Sequence, residues 1–301
     1  MDIALALGGG GSRGYAHIGV LRRLENEGFK IRAVAGTSAG GIIAAAYAAG
    51  YTPDEMENLF SRLDQTKFFA RSAKEGPGIL GLTGAARELE NVFGDITFAD
   101  LKIPCGVVAV DINSGTEVSL IEGRVVDALL ATIAVPGVFP PKLCGDMTLV
   151  DGAVLNPVPV SLARALSPRM PVIAVVLEGI AEPSTGGLPA FPLPVQVPLP
   201  LVQTLTRTRI AQAFNIFLKS VDVGSRKLAE MRLQLDAPDL IIRPNVKGIG
   251  LLDPVNVHKV IYAGEVAAEA VLPELKRLSA WPGRLRQLMF PHRSHNGTRP
   301  A

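Results

Sequence analysis

A chain that reads LALGGGGSRGYAHIGVL from Leu5 to Leu21 has few folds open to it, because six glycines fall within those seventeen residues. Residues 3–7 form a short apolar run that stops at glycine, which reads as a buried strand. AHIGVLRRLENEG then places Ile18, Leu21 and Leu24 at helical spacing, with Gly28 at the C-terminal cap. IRAVAG is a second short strand. It runs into GTSAG, from Gly36 to Gly40, and GIIAAAYAAG beyond it reads as a small-residue, buried helix ending at Gly50. Strand, glycine turn, helix, strand, sharp turn and buried helix thus fill the opening of the chain. That alternation predicts an α/β fold with a largely parallel sheet.

The rest of the chain continues the pattern. Residues 52–63 read as a helix capped by Thr52, with Glu55 three positions later. Residues 73–84 are glycine-rich and read as a loop. Helices are expected over 83–93 and 125–132, and PGVFPP breaks the chain after the second. IPCGVVAVDI is a strong strand and residues 117–121 a weaker one. TLVDGAV is a strand end followed by a turn, VSLARAL a helix and PVIAVVLEG a buried strand. A long helical region is expected over 206–235, with Ile210, Phe214, Phe217 and Leu218 on one side. A short strand follows at 240–243, and a closing helix at 257–272 stops before Pro273. Prolines at 189, 192, 194, 198 and 200 exclude a regular helix or central strand from residues 188–202. The apolar residues there either pack onto the body or form a cover for an apolar substrate.

Composition sets outer bounds. With 301 residues, 48% of them hydrophobic and only 19% charged, the chain has a sizeable core to bury and is not a disordered sequence. Cys105 and Cys144 have no metal-ligand spacing and are expected to be buried free thiols. No uncharged apolar run reaches the length of a membrane span. The opening MDIALALGGG has no basic region leading into an apolar run, so the cytoplasm is expected. The net charge of +2 is uneven. Residues 275–301 carry six Lys or Arg and no acid, which leaves 24 basic against 28 acidic residues, net −4, in the remainder. Such a tail is either a solvated terminus or an attraction toward anionic lipid. No aromatic interleaving accompanies it, so no nucleic-acid partner is expected.

GTSAG matches G-x-S-x-G, a strand-to-helix turn that holds a serine oxygen outward. Context supports the match, since an apolar strand precedes Gly36 and a small-residue helix follows Gly40. Ser38 is therefore the candidate nucleophile, with an ordinary helix cap as the plainer alternative. The amides and dipole of the new helix favour negative charge beside it. For the glycine loop three readings compete. Gly9, Gly11 and Gly14 satisfy G-x-G-x-x-G, but no lone acid ends the second strand as a dinucleotide site requires. A Walker A loop fails for want of GK[ST]. An oxyanion hole explains both stretches together, with Gly10 and Gly11 as the donors, each worth roughly 3 kcal/mol. Arg13 either fixes the loop by hydrogen bonding or attracts an anionic head group.

The serine needs a base. His17 lies one turn into the first helix and more naturally packs or caps. His292 and His295 sit in the basic tail. His258 gives the order Ser, Asp, His of a hydrolase triad, but no tuned loop surrounds it. Asp151 is the better candidate: an apolar run delivers it at a strand end, and Gly152 and Ala153 keep its surroundings small. An unperturbed Asp has a pKa of about 4, so proton transfer to it is uphill unless the oxyanion donors compensate. The plainer reading makes Asp151 a turn former, and Asp111 in AVDINSG is an Asx-turn candidate by the same logic.

These residues resemble the patatin-like phospholipase family. The blocks GGGGSRG at 8–14, GTSAG at 36–40, ATIAVPGVFPP at 131–141 and DGA at 151–153 carry the likeness through their order and spacing. The resemblance, which runs over about residues 3–243, implies a three-layer α/β/α fold with a mostly parallel central sheet; the domain is assigned to residues 1–272, and a proline-rich apolar insertion around 183–202 and a basic tail at 273–301 lie outside the family motifs. The resemblance also implies a Ser38–Asp151 dyad, an oxyanion hole in the glycine loop and an arginine position at Arg13. The activity implied is hydrolysis of acyl esters of phospholipids, lysophospholipids or other lipids, with neither metal nor other cofactor. Transient contact with a membrane surface goes with such a substrate. A triad esterase using His258, a nucleotide-binding protein and a non-catalytic lipid-binding module are the rival readings.

Overall fold

The computed structural model describes residues 1–63, 68–73, 75–177 and 209–280. The proline-rich insertion and the tail beyond residue 280, with His292 and His295, lie outside the described residues.

The first strand, β1 (Asp2–Leu7), leads through a 3₁₀ turn at Gly11–Tyr15 into α1 (Ala16–Asn26). Then come β2 (Lys30–Thr37), α2 (Ala39–Ala49), α3 (Pro53–Ser61) and α4 (Thr83–Phe93). β3 (Cys105–Asp111) and β4 (Thr116–Leu120) form a hairpin, followed by α5 (Val125–Thr132) and a second hairpin of β5 (Lys142–Cys144) and β6 (Met147–Asp151). α6 (Val160–Leu166), β7 (Val172–Val175), α7 (Arg209–Asp236), β8 (Leu240–Ile242) and α8 (Val257–Ala280) complete the described chain. The strands form one sheet in the order β5-β6-β3-β2-β1-β7-β8, with β4 on the far side of β3. The run from β3 through β8 is parallel, and β4, β5 and β6 are antiparallel additions at one end.

Alternation along β1 explains the layers. Ile3, Leu5 and Leu7 join a core with residues of α1 to α5 and α8, whereas Ala4 and Ala6 face α6 and α7. Small side chains recur on that second face, at Ala33, Ala35 and Ala174, and let α6 lie close to the sheet. The result is the expected sandwich of helices on both faces of a mostly parallel sheet. α3 begins with the expected capping box: the Glu55 N–H donates to Thr52 Oγ1 at 3.2 Å and the Thr52 N–H to Glu55 Oε2 at 2.8 Å.

Three sequence expectations need correction. α8 does not stop at Pro273 but runs through it to Ala280. An interior proline costs about 3 kcal/mol through a lost hydrogen bond and a ring clash, and the buried Leu272 and Leu275 on either side keep the helix docked. β5 was not expected at all, because three residues are too few to show a period of two. Of the two free cysteines, Cys105 is buried and its thiol is pushed up to about 12 by burial, but Cys144 is exposed on the edge strand β5.

Candidate active site

Sheet register brings the two candidate residues together. Thr37, the last residue of β2, pairs with Val108 of β3 in parallel register. Asp151, the last residue of β6, pairs with Ala109 of β3 in antiparallel register. β4 occupies the other edge of β3 from Val107 to Asp111. β2 and β6 therefore share one edge of β3 and run toward each other, and their C-terminal ends meet at the Val108–Ala109 step. Ser38 follows Thr37, so the topology itself sets Ser38 against Asp151.

Ser38 adopts φ 55°, ψ −126°, and among the described residues only Ala237 is another non-glycine with positive φ. That conformation costs of order 1–3 kcal/mol and persists only where the surroundings hold it. Here they do. The Ser38 N–H donates to Thr132 Oγ1 at 2.9 Å, and the Thr132 hydroxyl donates to the Val108 carbonyl at 2.5 Å. Thr37 Oγ1 donates to the Asn156 carbonyl at 2.9 Å. A side chain at Gly40 would strike the Leu7 and Gly8 carbonyls, so only glycine lets α2 start directly behind the end of β1. Gly36 packs against Gly40 on the inner side of the same turn.

Asp151 is buried and accepts from the Ala153 N–H at 2.8 Å and from the Ser38 hydroxyl. Burial raises its pKa from 3.8 to about 6, and the two hydrogen bonds oppose that rise. Gly152 lies against the Val108 carbonyl, which keeps the turn after Asp151 tight on β3. Asp111 is a structural turn former, accepting from the N–H groups of Asn113, Ser114 and Thr148.

The glycine loop packs on the elbow: a Cβ placed on Gly9 would sit 3.4 Å from the Cβ of Ser38. Four of its amides are committed. The Gly8 N–H donates to Val175, Gly9 to Pro157, Ser12 to Leu251 and Arg13 to Gly10. Among the described residues, no backbone carbonyl receives the Gly10 or Gly11 N–H, and both glycines line the same cavity as Ser38. Gly11, at φ 55°, is held against the Leu251 carbonyl, where a side chain has no room. Gly14 packs on Ala39, and Ala39 follows the serine. Arg13 is buried, with Nε donating to Ile249 O at 2.8 Å and one amino group to Asp222 Oδ1 at 3.0 Å. His17 is fully buried, shares a 2.8 Å hydrogen bond with the Gly8 carbonyl, and burial lowers its pKa to about 4, so it is neutral. His258 lies elsewhere. It is 67% exposed at the start of α8 and hydrogen-bonds Glu57, and it does not line the cavity.

That cavity, of about 200 Å³, opens beside Ser38 and Asp151. Its wall is mainly apolar, with Phe60, Phe69, Leu89, Phe93 and Phe139 among the lining side chains. Phe69 and Phe139 stack with ring centres 5.7 Å apart. Among the described residues, no group of three His, Cys, Asp or Glu side chains is placed to hold a metal ion.

Sequence reasoning missed Thr132 and Asn156. The signal for Thr132 is a hydroxyl that closes the apolar run ALLA at the end of its helix. Asn156 leads a chain of contacts: its amide donates to Glu117 at 3.0 Å, and Glu117 pairs with Arg232 of α7 at 2.8 Å. This chain ties the turn after Asp151 to both β4 and α7.

Comparison with known proteins agrees with the architecture. The chain is 30% identical over 289 residues to an NTE family protein of Mycobacterium tuberculosis, Rv2565, covering 92% of this chain and 48% of that one. A second M. tuberculosis NTE family protein, Rv1063c, is 34% identical over 179 residues, covering 59% of this chain and 49% of that one. The chain thus spans about half the length of these relatives. It shares 35% identity over 191 residues with the mouse patatin-like phospholipase domain-containing protein 6, covering 58% of this chain and 13% of that one. The solved structure of VipD from Legionella pneumophila superposes with a TM-score of 0.55 at 12% identity, over 91% of this chain and 66% of that one, a likeness of fold. The model of the patatin-like phospholipase family matches residues 5–164, more than half of the chain, and the chain belongs to that family.

Proposed function

We propose that the protein is a serine acyl hydrolase that cleaves carboxylic esters of lipids through Ser38 and Asp151. The observation that carries this reading is Ser38 itself, held at a strained positive φ with its hydroxyl bonded to a buried carboxylate beside an apolar cavity. Ser38 attacks the acyl carbonyl while Asp151 takes its proton. Burial has made Asp151 a stronger base than an ordinary carboxylate, which reduces the uphill cost of that transfer. Negative charge develops on the carbonyl oxygen. The Gly10 and Gly11 N–H groups receive it, since the other loop amides are occupied. The Ser38 N–H is not available for this purpose, because Thr132 holds it. Collapse expels the alcohol, protonated by Asp151, and leaves an acyl-serine. Water, deprotonated by Asp151, then releases the fatty acid. The aromatic and aliphatic wall takes the acyl chain.

The test is hydrolysis of a panel of long-chain acyl esters, in micelles and in anionic vesicles. The wild type is expected to release fatty acid, and Ser38→Ala to release none. Lipid binding without turnover under every condition would favour a non-catalytic lipid-binding module. The site belongs to a chain with no helix, among the described residues, long and apolar enough to cross a membrane. A cytoplasmic enzyme that works at a membrane surface is the setting we propose.

A further inference from the structure

Of the two roles open to Arg13, the structure places it in loop support. Its donors go to Ile249, to Leu177 and to Asp222, and it is 2% exposed. A second guanidinium lines the same cavity. Arg226 stands one turn beyond Asp222 on α7 and is about one quarter exposed, at 27%. Its Nε donates to the Asp222 carbonyl at 3.4 Å and lies 3.9 Å from the Asp222 carboxylate. Asp222 therefore faces two arginines, with Arg13 the nearer, so Arg226 is the less fully neutralised of the pair. Among the described residues, neither terminal amino group of Arg226 has a hydrogen-bonded partner. Glu230, one turn further on, pairs chiefly with Lys227 at 2.8 Å and more weakly attracts Arg226. Ser12 and Ser225 are also among the residues that line the cavity.

We propose that Arg226, with the Ser12 and Ser225 hydroxyls, receives the phosphate of the substrate, so that the enzyme favours phosphate-bearing lipid esters over neutral acylglycerols. This rests on the hydrolase reading above. A guanidinium whose terminal amino groups have no partner among the described residues matches two phosphate oxygens at once, and serine side chains are donors of the kind such a site uses. Because Asp222 sits nearer Arg13, a ligand at Arg226 leaves the Arg13–Asp222 pair in place. The same cavity is lined by phenylalanines, so the proposed ligand is amphipathic, with its anionic head at Arg226 and its acyl chain on the apolar wall.

The experiment compares kcat/KM for a 1-acylglycerol 3-phosphate with that for the 1-acylglycerol of the same chain length, both as monomers. The ratio is independent of how much of each preparation is folded. Arg226→Gln is expected to lower it about tenfold or more, the weight of a charge-assisted hydrogen bond. Arg226→Lys, which keeps the charge without the fork, is expected to recover part of the loss. A ratio that Arg226→Gln does not move overturns the assignment. If inorganic phosphate instead inhibits cleavage of the neutral ester, and Arg226→Gln abolishes that inhibition while the ratio stays put, the site takes free phosphate and the head-group assignment also fails. Wild-type protein that cleaves neither ester overturns the hydrolase reading itself. Cleavage of both with an unmoved ratio overturns only the role of Arg226.

Discussion

Replacing Asp151 by Asn should make the protein more stable as it makes it inactive. The carboxyl is buried, and its pKa moves from 3.8 to about 6. At neutral pH both the folded and the unfolded chain carry the charge, but the folded chain carries it in a poorly solvated place. The sign follows directly. Between the two pKa values the folded state holds more protons than the unfolded state, so this group makes stability fall as pH rises through that window. Well below 3.8 the acid is neutral in both states and costs nothing. Above about pH 6 the full cost applies, and the interval between the two pKa values corresponds to about 3 kcal/mol. Asn has the same shape and keeps an acceptor for the Ala153 N–H, but cannot ionise. The expected gain is therefore about 1–3 kcal/mol at pH 8, fading toward zero below about pH 4. Urea unfolding of both chains at a series of pH values reads it out, because every other titrating group is common to the two and cancels in the difference. An Asn variant that is no more stable at pH 8 than at pH 4, relative to wild type, would refute the claim that a destabilising charge is kept at this position.

Further tests address the neighbours. As general base Asp151 must be ionised, so kcat/KM should rise with pH through an apparent pKa near 6 and level off above it, as a pH–rate profile with a soluble ester will show. Ser38→Ala and Ser38→Gly should both be inactive, but only glycine relieves the positive φ. Thermal or urea unfolding should place Ser38→Gly about 1 kcal/mol or more above Ser38→Ala. Thr132→Val leaves the Ser38 N–H buried without an acceptor. It should cost about 1–3 kcal/mol of stability and lower kcat more than it changes KM. His258→Ala should keep full activity on any ester the wild type cleaves, since that ring pairs with Glu57 away from the cavity.

Much of the fold was legible because it depends on local chemistry. The glycine turn, the G-x-S-x-G elbow and the Thr52–Glu55 cap each declare themselves within a few residues, and α4 and α5 span the stretches their periodicity marks. Asp151 stood out because a carboxylate closing an apolar run needs a reason to be there. What was not legible depends on distant pairing. Only the register of three strands shows that β2 and β6 converge on one edge of β3. Arg13 finds Asp222 209 positions away, a partner that nothing near Arg13 in the sequence announces. Thr132 looked like part of a helix end, because its partners at Ser38 and Val108 come from other elements. Pro273 looked like a stop, because the packing that carries α8 through it is tertiary.

The central claim is that Asp151 activates Ser38. It is tested most directly by treating the folded protein with a fluorophosphonate probe and mapping the adduct by mass spectrometry. A Ser38–Asp151 dyad requires an adduct on Ser38 in the wild type and in His258→Ala, and little or none in Asp151→Asn. An adduct on another residue, or on Ser38 at the same rate in Asp151→Asn, would contradict it.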